Sequence, residues 1–221
     1  MRSGERPKIS PRPVRPSETG SEGFGDRRLA AIAFVDIVGY TILMATDETR
    51  THQRWMRILS EVISPQAEKF HGTVVKSTGD GVLVEFPSAH DAVDWARQVQ
   101  RQVITTQVEH DNESATITLR VAVHLGDVIT TEFDVFGDGV NVAARLQQHS
   151  VPGGVILSEA VYDLVRGTIG PDVRDLGFLQ LKNLEKPIRA YSLDPEASGS
   201  LDPEANEREG SRRHRPSVAV L

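Results

Sequence analysis

An α+β fold with a mostly antiparallel sheet is predicted by three features of the chain. Short runs rich in β-branched residues alternate with stretches of helical period, two of those runs meet through the tight turn Thr78-Gly79-Asp80-Gly81, and no internal repeat is present. A turn of that kind joins antiparallel neighbours, and helices of that period have one apolar face to lay on a sheet.

Residues 29–36 form a continuous apolar run of strand length ending on a carboxylate, which predicts a buried strand. Over residues 47–70, Trp55, Ile58, Leu59, Val62 and Ile63 recur at helical spacing. Pro65 is expected to kink or restart that helix, because it has no amide hydrogen and its ring crowds the preceding turn. Residues 73–77 and 82–86 are the arms of the hairpin. Ser88 and Asp91 then read as a capping box for a helix whose inner face is Ala92, Val93, Ala96, Val99 and Val103. Residues 116–124 and 128–131 read as two further strands, 140–148 as a helix opened by Asp138, and 154–157 as a strand. Ser158 caps a short helix reaching Val165, and 173–181 and 188–193 complete the sheet.

One domain, residues 28–194, is expected between two tails. Residues 1–27 carry Pro7, Pro11, Pro13 and Pro16 among Arg, Ser, Gly and Glu, and 195–221 have the same character, so both should be disordered. With 38% hydrophobic residues and no apolar run near the ~20 residues that cross a bilayer, the chain predicts a soluble protein with no membrane insertion. It has no cysteine and no secretory signal, which fits a cytoplasmic setting. A net charge of −6 argues against nucleic acid as a partner. The histidines show no metal-ligand spacing and there is no Gly-x-x-x-x-Gly-Lys-[Ser/Thr] loop, which sets aside zinc enzymes and P-loop NTPases.

The chemistry concentrates in a few polar residues. Asp36 ends the first strand and is followed by Ile37-Val38-Gly39-Tyr40-Thr41, where Gly39 permits close backbone approach and Thr41 can cap a following helix. That arrangement would set backbone N–H groups against a triphosphate. Asp80 lies in the hairpin turn, 44 residues later, a separation that suits strand, helix, strand and turn returning beside the start. Either aspartate alone suits an ordinary turn or cap. Together they can share two divalent cations of the kind that clamp attacking and leaving oxygens ~3.5 to 4 Å apart. Asn141 and Arg145 stand four apart and project from one helix face, among Val140, Val142, Ala143, Ala144 and Leu146, so that helix should be largely covered and a buried Arg there would need an anion.

The run Phe133-Asp134-Val135-Phe136-Gly137-Asp138-Gly139-Val140-Asn141-Val142-Ala143-Ala144-Arg145, with Asp36 and Asp80, is similar to the catalytic domain of class III adenylate and guanylate cyclases. The resemblance runs from about Arg28 to Leu193. It implies a ferredoxin-like βαββαβ core with additional strands, and metals (Mg²⁺ or Mn²⁺) on Asp36 and Asp80. It further implies purine reading by Lys76 and Asp134, ribose positioning by Asn141 and transition-state stabilisation by Arg145. Lys182 resembles the family's terminal-phosphate lysine, with Asn183 in place of the commoner glycine. The implied active form is a head-to-tail homodimer, metals from one chain and purine readers, Asn and Arg from the other.

Hydrogen-bond inventory favours ATP as substrate. Lysine only donates and ionised aspartate only accepts, which matches adenine N1 and its N6 amino group and mismatches guanine at both. Each mismatched buried pair costs ~1 to 3 kcal/mol. The implied reaction is in-line attack of the ribose 3′-hydroxyl on the α-phosphorus, giving cyclic AMP and pyrophosphate. The alternatives are a guanylate cyclase and a catalytically lapsed nucleotide-binding partner of the same fold. The Gly-Gly-Asp/Glu-Glu-Phe signature of diguanylate cyclases is absent.

Overall fold

The computed structural model describes residues 26–110, 116–130, 135–171 and 173–193. Both expected tails lie outside them, apart from Asp26 and Arg27. The first strand, β1 (Asp26–Ile37), is a long one. Three helical pieces follow, α1 (Tyr40–Thr46), α2 (Glu48–Ile58) and α3 (Ser64–Lys69). Next come the hairpin strands β2 (Thr73–Thr78) and β3 (Gly81–Phe86), the helix α4 (Ala89–His110), and β4 (Leu119–Thr130). Then follow β5 (Val135–Phe136), α5 (Asp138–Leu146), β6 (Val155–Ser158), α6 (Glu159–Val165), β7 (Arg174–Leu179) and β8 (Ile188–Leu193).

The strands make one eight-stranded sheet in the order β2-β3-β1-β4-β6-β8-β7, with β5 on the end of β4. Its first four strands and their helices are the βαββαβ arrangement. Every pairing is antiparallel except β4 with β6. Both faces are covered. Ala31, Ala33, Val35 and Ile37 of β1 join Trp55, Ile58, Trp95 and Val99 on one face, while Ala30 and Ile32 meet Ala143 of α5 on the other. A strand buried on both sides needs apolar residues at every position, which is why β1 reads as an unbroken run.

Three expectations change and one holds. The helix expected over 47–70 does restart at Pro65, which stands in the first turn of α3, and a π-helical turn, Leu59–Ile63, joins α3 to α2. The two strands expected at 116–124 and 128–131 are the single β4, because Gly126 and Asp127 stay in register opposite Ala30 and Leu29. Thr41 lies inside α1, whose N-cap is Gly39 in the left-handed conformation (φ 68°) with open space where a Cβ would point. Gly39 is thus needed for its backbone angle rather than for room. Gly137, not Asp138, is the N-cap of α5. At α4 the Ser88 hydroxyl does accept from the Asp91 N–H (3.4 Å), whereas Ser158 occupies the N-cap position of α6 without a side-chain bond.

Candidate active site

The antiparallel register builds one corner of the site. Asp36 faces Gly81 of β3 on one side and Arg120 of β4 on the other. Asp80, one residue before Gly81, is therefore carried to the end of β1. The turn that holds it is anchored from below by the Trp55 indole, whose Nε1 donates to the Gly79 carbonyl at 2.8 Å. Arg120 Nη2 reaches Asp36 Oδ2 at 2.7 Å, and Gln147 Nε2 donates to the same oxygen at 3.2 Å.

The Asp80 carboxyl lies near enough to Asp36 to feel its charge. Burial pushes the Asp80 carboxyl above the ordinary carboxylate range; its own main-chain hydrogen bond opposes the rise, and the Asp36 charge adds to it. Two acids packed this closely repel when both are ionised, and a divalent cation removes that repulsion. Hard carboxylate oxygens are the donors Mg²⁺ and Mn²⁺ take, so the pair fits such an ion. No cluster of three or more His, Cys, Asp or Glu side chains suited to a metal occurs among the described residues. Phosphate oxygens, water or main-chain carbonyls would have to complete the coordination.

The segment after Asp36 divides in two. Ile37 still pairs with Leu119, and the Val38 N–H is taken by the Thr118 carbonyl at 2.8 Å. The N–H groups of Gly39, Tyr40 and Thr41 have no main-chain acceptor among the described residues and are the part of the expected cradle open to an anion.

A register shift between Val74 and Lys76 interrupts the β2–β3 ladder, and the Lys76 ammonium lies 5.4 Å from the centre of the Phe136 ring on β5. The structure thus brings Lys76 to the strand that follows Asp134; Asp134 itself lies outside the described residues. On α5, Gly139, Val142, Ala143 and Leu146 are buried, Asn141 is exposed and Arg145 is half-buried. That helix is covered on one face only, so Arg145 is less enclosed than its apolar neighbours suggest. Neither Asn141 nor Arg145 has a side-chain hydrogen-bond or ion-pair partner among the described residues. The helix sits close on β4 because two glycines meet: a Cβ on Gly126 would stand 2.9 Å from the Gly139 Cα.

Lys182 is exposed in the connection between β7 and β8 and makes no bond to the other expected site residues. Asn183 beside it has φ 59°, a left-handed angle that Asn tolerates better than other residues with a Cβ, which is the physical reason it can stand where glycine is commoner.

Arg120 and Gln147 escaped the sequence reading. The signals were present: a charged residue within the apolar run Leu119–Val123, and a polar residue directly after the helix face ending at Leu146. His124 was missed too; burial lowers its pKa to about 4 and keeps the ring neutral, and its Nδ1 is buried with no partner.

An eight-stranded, mostly antiparallel sheet with two acids brought together at the end of the inner strand β1 and a polar helix face beside it defines a nucleotidyl cyclase type of domain. The adenylate and guanylate cyclase catalytic domain profile matches residues 27–195, and the chain belongs to that family. A Rhizobium meliloti protein named "Putative adenylate cyclase 3" is 41% identical over 196 residues, which is 88% of this chain and 33% of that protein, so the chain spans about a third of that relative. Among solved structures, an adenylate/guanylate cyclase/hydrolase from Silicibacter pomeroyi superposes with TM-score 0.71 at 34% identity, covering 77% of this chain and 99% of that one. The adenylyl cyclase CyaB from P. aeruginosa superposes with TM-score 0.69 at 25% identity, covering 76% and 95%. No helix among the described residues is long and apolar enough to cross a membrane.

Proposed function

We propose that the chain is an adenylate cyclase, converting ATP to 3′,5′-cyclic AMP and pyrophosphate at sites shared across a homodimer in the cytoplasm. The observation that carries this reading is the pairing of Asp36 with Gly81, which sets the Asp80 turn beside Asp36 at the end of β1, with Asp36 held by Arg120 and Gln147. Divalent cations on these carboxylates would polarise the ribose 3′-hydroxyl and offset the charge of the departing pyrophosphate. Arg120 adds a fixed positive charge at the same corner, where the polyphosphate would lie against the N–H groups of Gly39, Tyr40 and Thr41. Lys76 and Asp134 orient adenine by donating to N1 and accepting from the N6 amino group. Asn141 holds the ribose, Arg145 meets the charge that develops on the α-phosphoryl group, and Lys182 takes the terminal phosphate.

The shared site is supported by the contrast between Asp36, which is held by its own chain, and Asn141 and Arg145, whose side chains meet no polar partner among the described residues. Adenine over guanine is supported by the donor and acceptor types of Lys76 and Asp134, and by the adenylate cyclase names of the relatives. Incubating the purified chain with ATP or GTP, each with Mg²⁺ or Mn²⁺, and assaying cyclic nucleotide and pyrophosphate tests the reading. Cyclic AMP with equimolar pyrophosphate is expected. Cyclic GMP as the main product would reassign the substrate, and neither product would overturn the activity.

A further inference from the structure

Gln147 is 4% exposed, just past the end of α5, and its side chain is fixed by an unusual pair of circumstances. Its Nε2 donates to Asp36 Oδ2, the oxygen that Arg120 also holds. A carboxylate only accepts, so the amide must turn its NH₂ toward Asp36, and its orientation follows from chemistry rather than from assignment. The other end pays nothing back: Oε1 is buried with no hydrogen-bond partner. A buried acceptor left unpaired is costly, so the contact with Asp36, rather than general satisfaction of the amide, accounts for this pose.

The main chain of the same residue is tied elsewhere. Its N–H bonds the carbonyls of Ala143 and Arg145, and its own carbonyl accepts from the Ser150 N–H at 2.9 Å. Gln147 therefore joins the Asp36 carboxylate, through its side chain, to the last turn of α5, through its backbone, and that turn carries Arg145.

We propose that Gln147 is a positioning residue that couples Asp36 to α5, so that a divalent cation at the Asp36–Asp80 corner sets the pose of Arg145. The coupling rests on the cyclase reading, because only there is Asp36 a cation ligand and Arg145 a catalytic group. A cation competes with the existing donors for Asp36 Oδ2; when the carboxylate reorients, the amide must follow it or lose its bond, and either change is passed to the helix turn. In the two-chain arrangement proposed above, Arg145 serves the partner's carboxylates, so Gln147 links the two sites.

Gln147→Met keeps an unbranched buried side chain of similar length and removes the donor. The full-length wild type, Gln147→Met and Asp36→Asn are titrated calorimetrically with Mn²⁺ in the presence of 3′-deoxy-ATP, which lacks the attacking hydroxyl. Amide hydrogen exchange over residues 138–149 is followed with and without saturating Mn²⁺. The wild type should bind Mn²⁺ in an Asp36-dependent way and change its exchange over 143–149. Gln147→Met should bind about 10-fold more weakly, the scale on which hydrogen-bond partners of metal ligands act, and should lose the exchange response even at saturation. Should the Met variant not fold, Gln147→Asn, which keeps an amide but shortens it by one methylene, should lose the response in the same way. Unchanged affinity together with an unchanged exchange response in the folded variant overturns the coupling alone. Wild-type binding that does not depend on Asp36 overturns the metal assignment, and the coupling falls with it.

Discussion

The carboxylate corner and the outward row of α5 differ in how completely one chain prepares them. Asp36 is held by Arg120 and Gln147, and the turn bearing Asp80 is pinned by Trp55, so the chain itself fixes both carboxylates in place. Asn141 and Arg145, on a helix whose other face is packed on β4, show no side-chain partner among the described residues. Preorganised groups cost little to use at the moment of reaction. The corner has that property alone, whereas the helix row needs something brought to it.

The comparison breaks most directly at the carboxylates. Asp36→Ala and Asp80→Ala should each lower turnover by about 1,000-fold or more, since a cation's share of transition-state stabilisation is several kcal/mol. Circular dichroism should show the fold retained, and a variant with most of its turnover would show that the corner is not the metal site.

The next effect concerns the strand beneath α5. His124 has a pKa of about 4 against an ordinary 6.5. Because the folded value is depressed, the neutral ring contributes its full stability above pH 6.5, and that contribution is lost as pH falls toward 4. The total is about 3 kcal/mol. Melting temperatures should fall through that window in the wild type, and the slope should flatten in His124→Phe, whose apolar ring suits the site of the unpartnered Nδ1. Equal slopes would place the acid sensitivity elsewhere.

A smaller change is expected in base choice. Lys76→Glu combined with Asp134→Cys should reduce the preference for ATP over GTP by ~10- to 100-fold, the cost of one or two mismatched buried hydrogen bonds. Competition between the nucleotides measures it, and an unchanged preference would mean that other groups read the purine. The smallest effect is at the anchor under the turn. Trp55→Phe keeps an aromatic ring and removes the bond to Gly79, at a cost of about 1 kcal/mol in denaturant unfolding. A several-fold loss of turnover should accompany it, because the turn carries Asp80; full activity would show that the anchor only stabilises.

Legibility in the sequence followed the range of the interactions. The strand ending at Asp36 and the hairpin around Asp80 are written in local patterns, an apolar run and a Gly-Asp-Gly turn, and both stand where expected. β5, with only Val135 and Phe136, is too short to have a pattern. Gly126 and Asp127 read as a break because the reason for the glycine, the approach of Gly139, is not local. The polarity of Arg120 and Gln147 among apolar neighbours was legible, but their target was not, because the contacts with Asp36 span 84 and 111 residues of chain.

Mixing two inactive variants tests the division of labour between the two regions. Asp36→Ala and Arg145→Ala should each be nearly inactive alone, since both sites of either homodimer are damaged. In a mixed dimer one site carries both lesions, while the other combines the intact carboxylates of the Arg145→Ala chain with the intact Arg145 of the Asp36→Ala chain. Random exchange makes half the dimers mixed, each with one good site of two, so activity should return to about a quarter of wild type at most. Exchange confirmed with differently tagged chains, and no return of activity, would place the whole site within one chain and contradict the account.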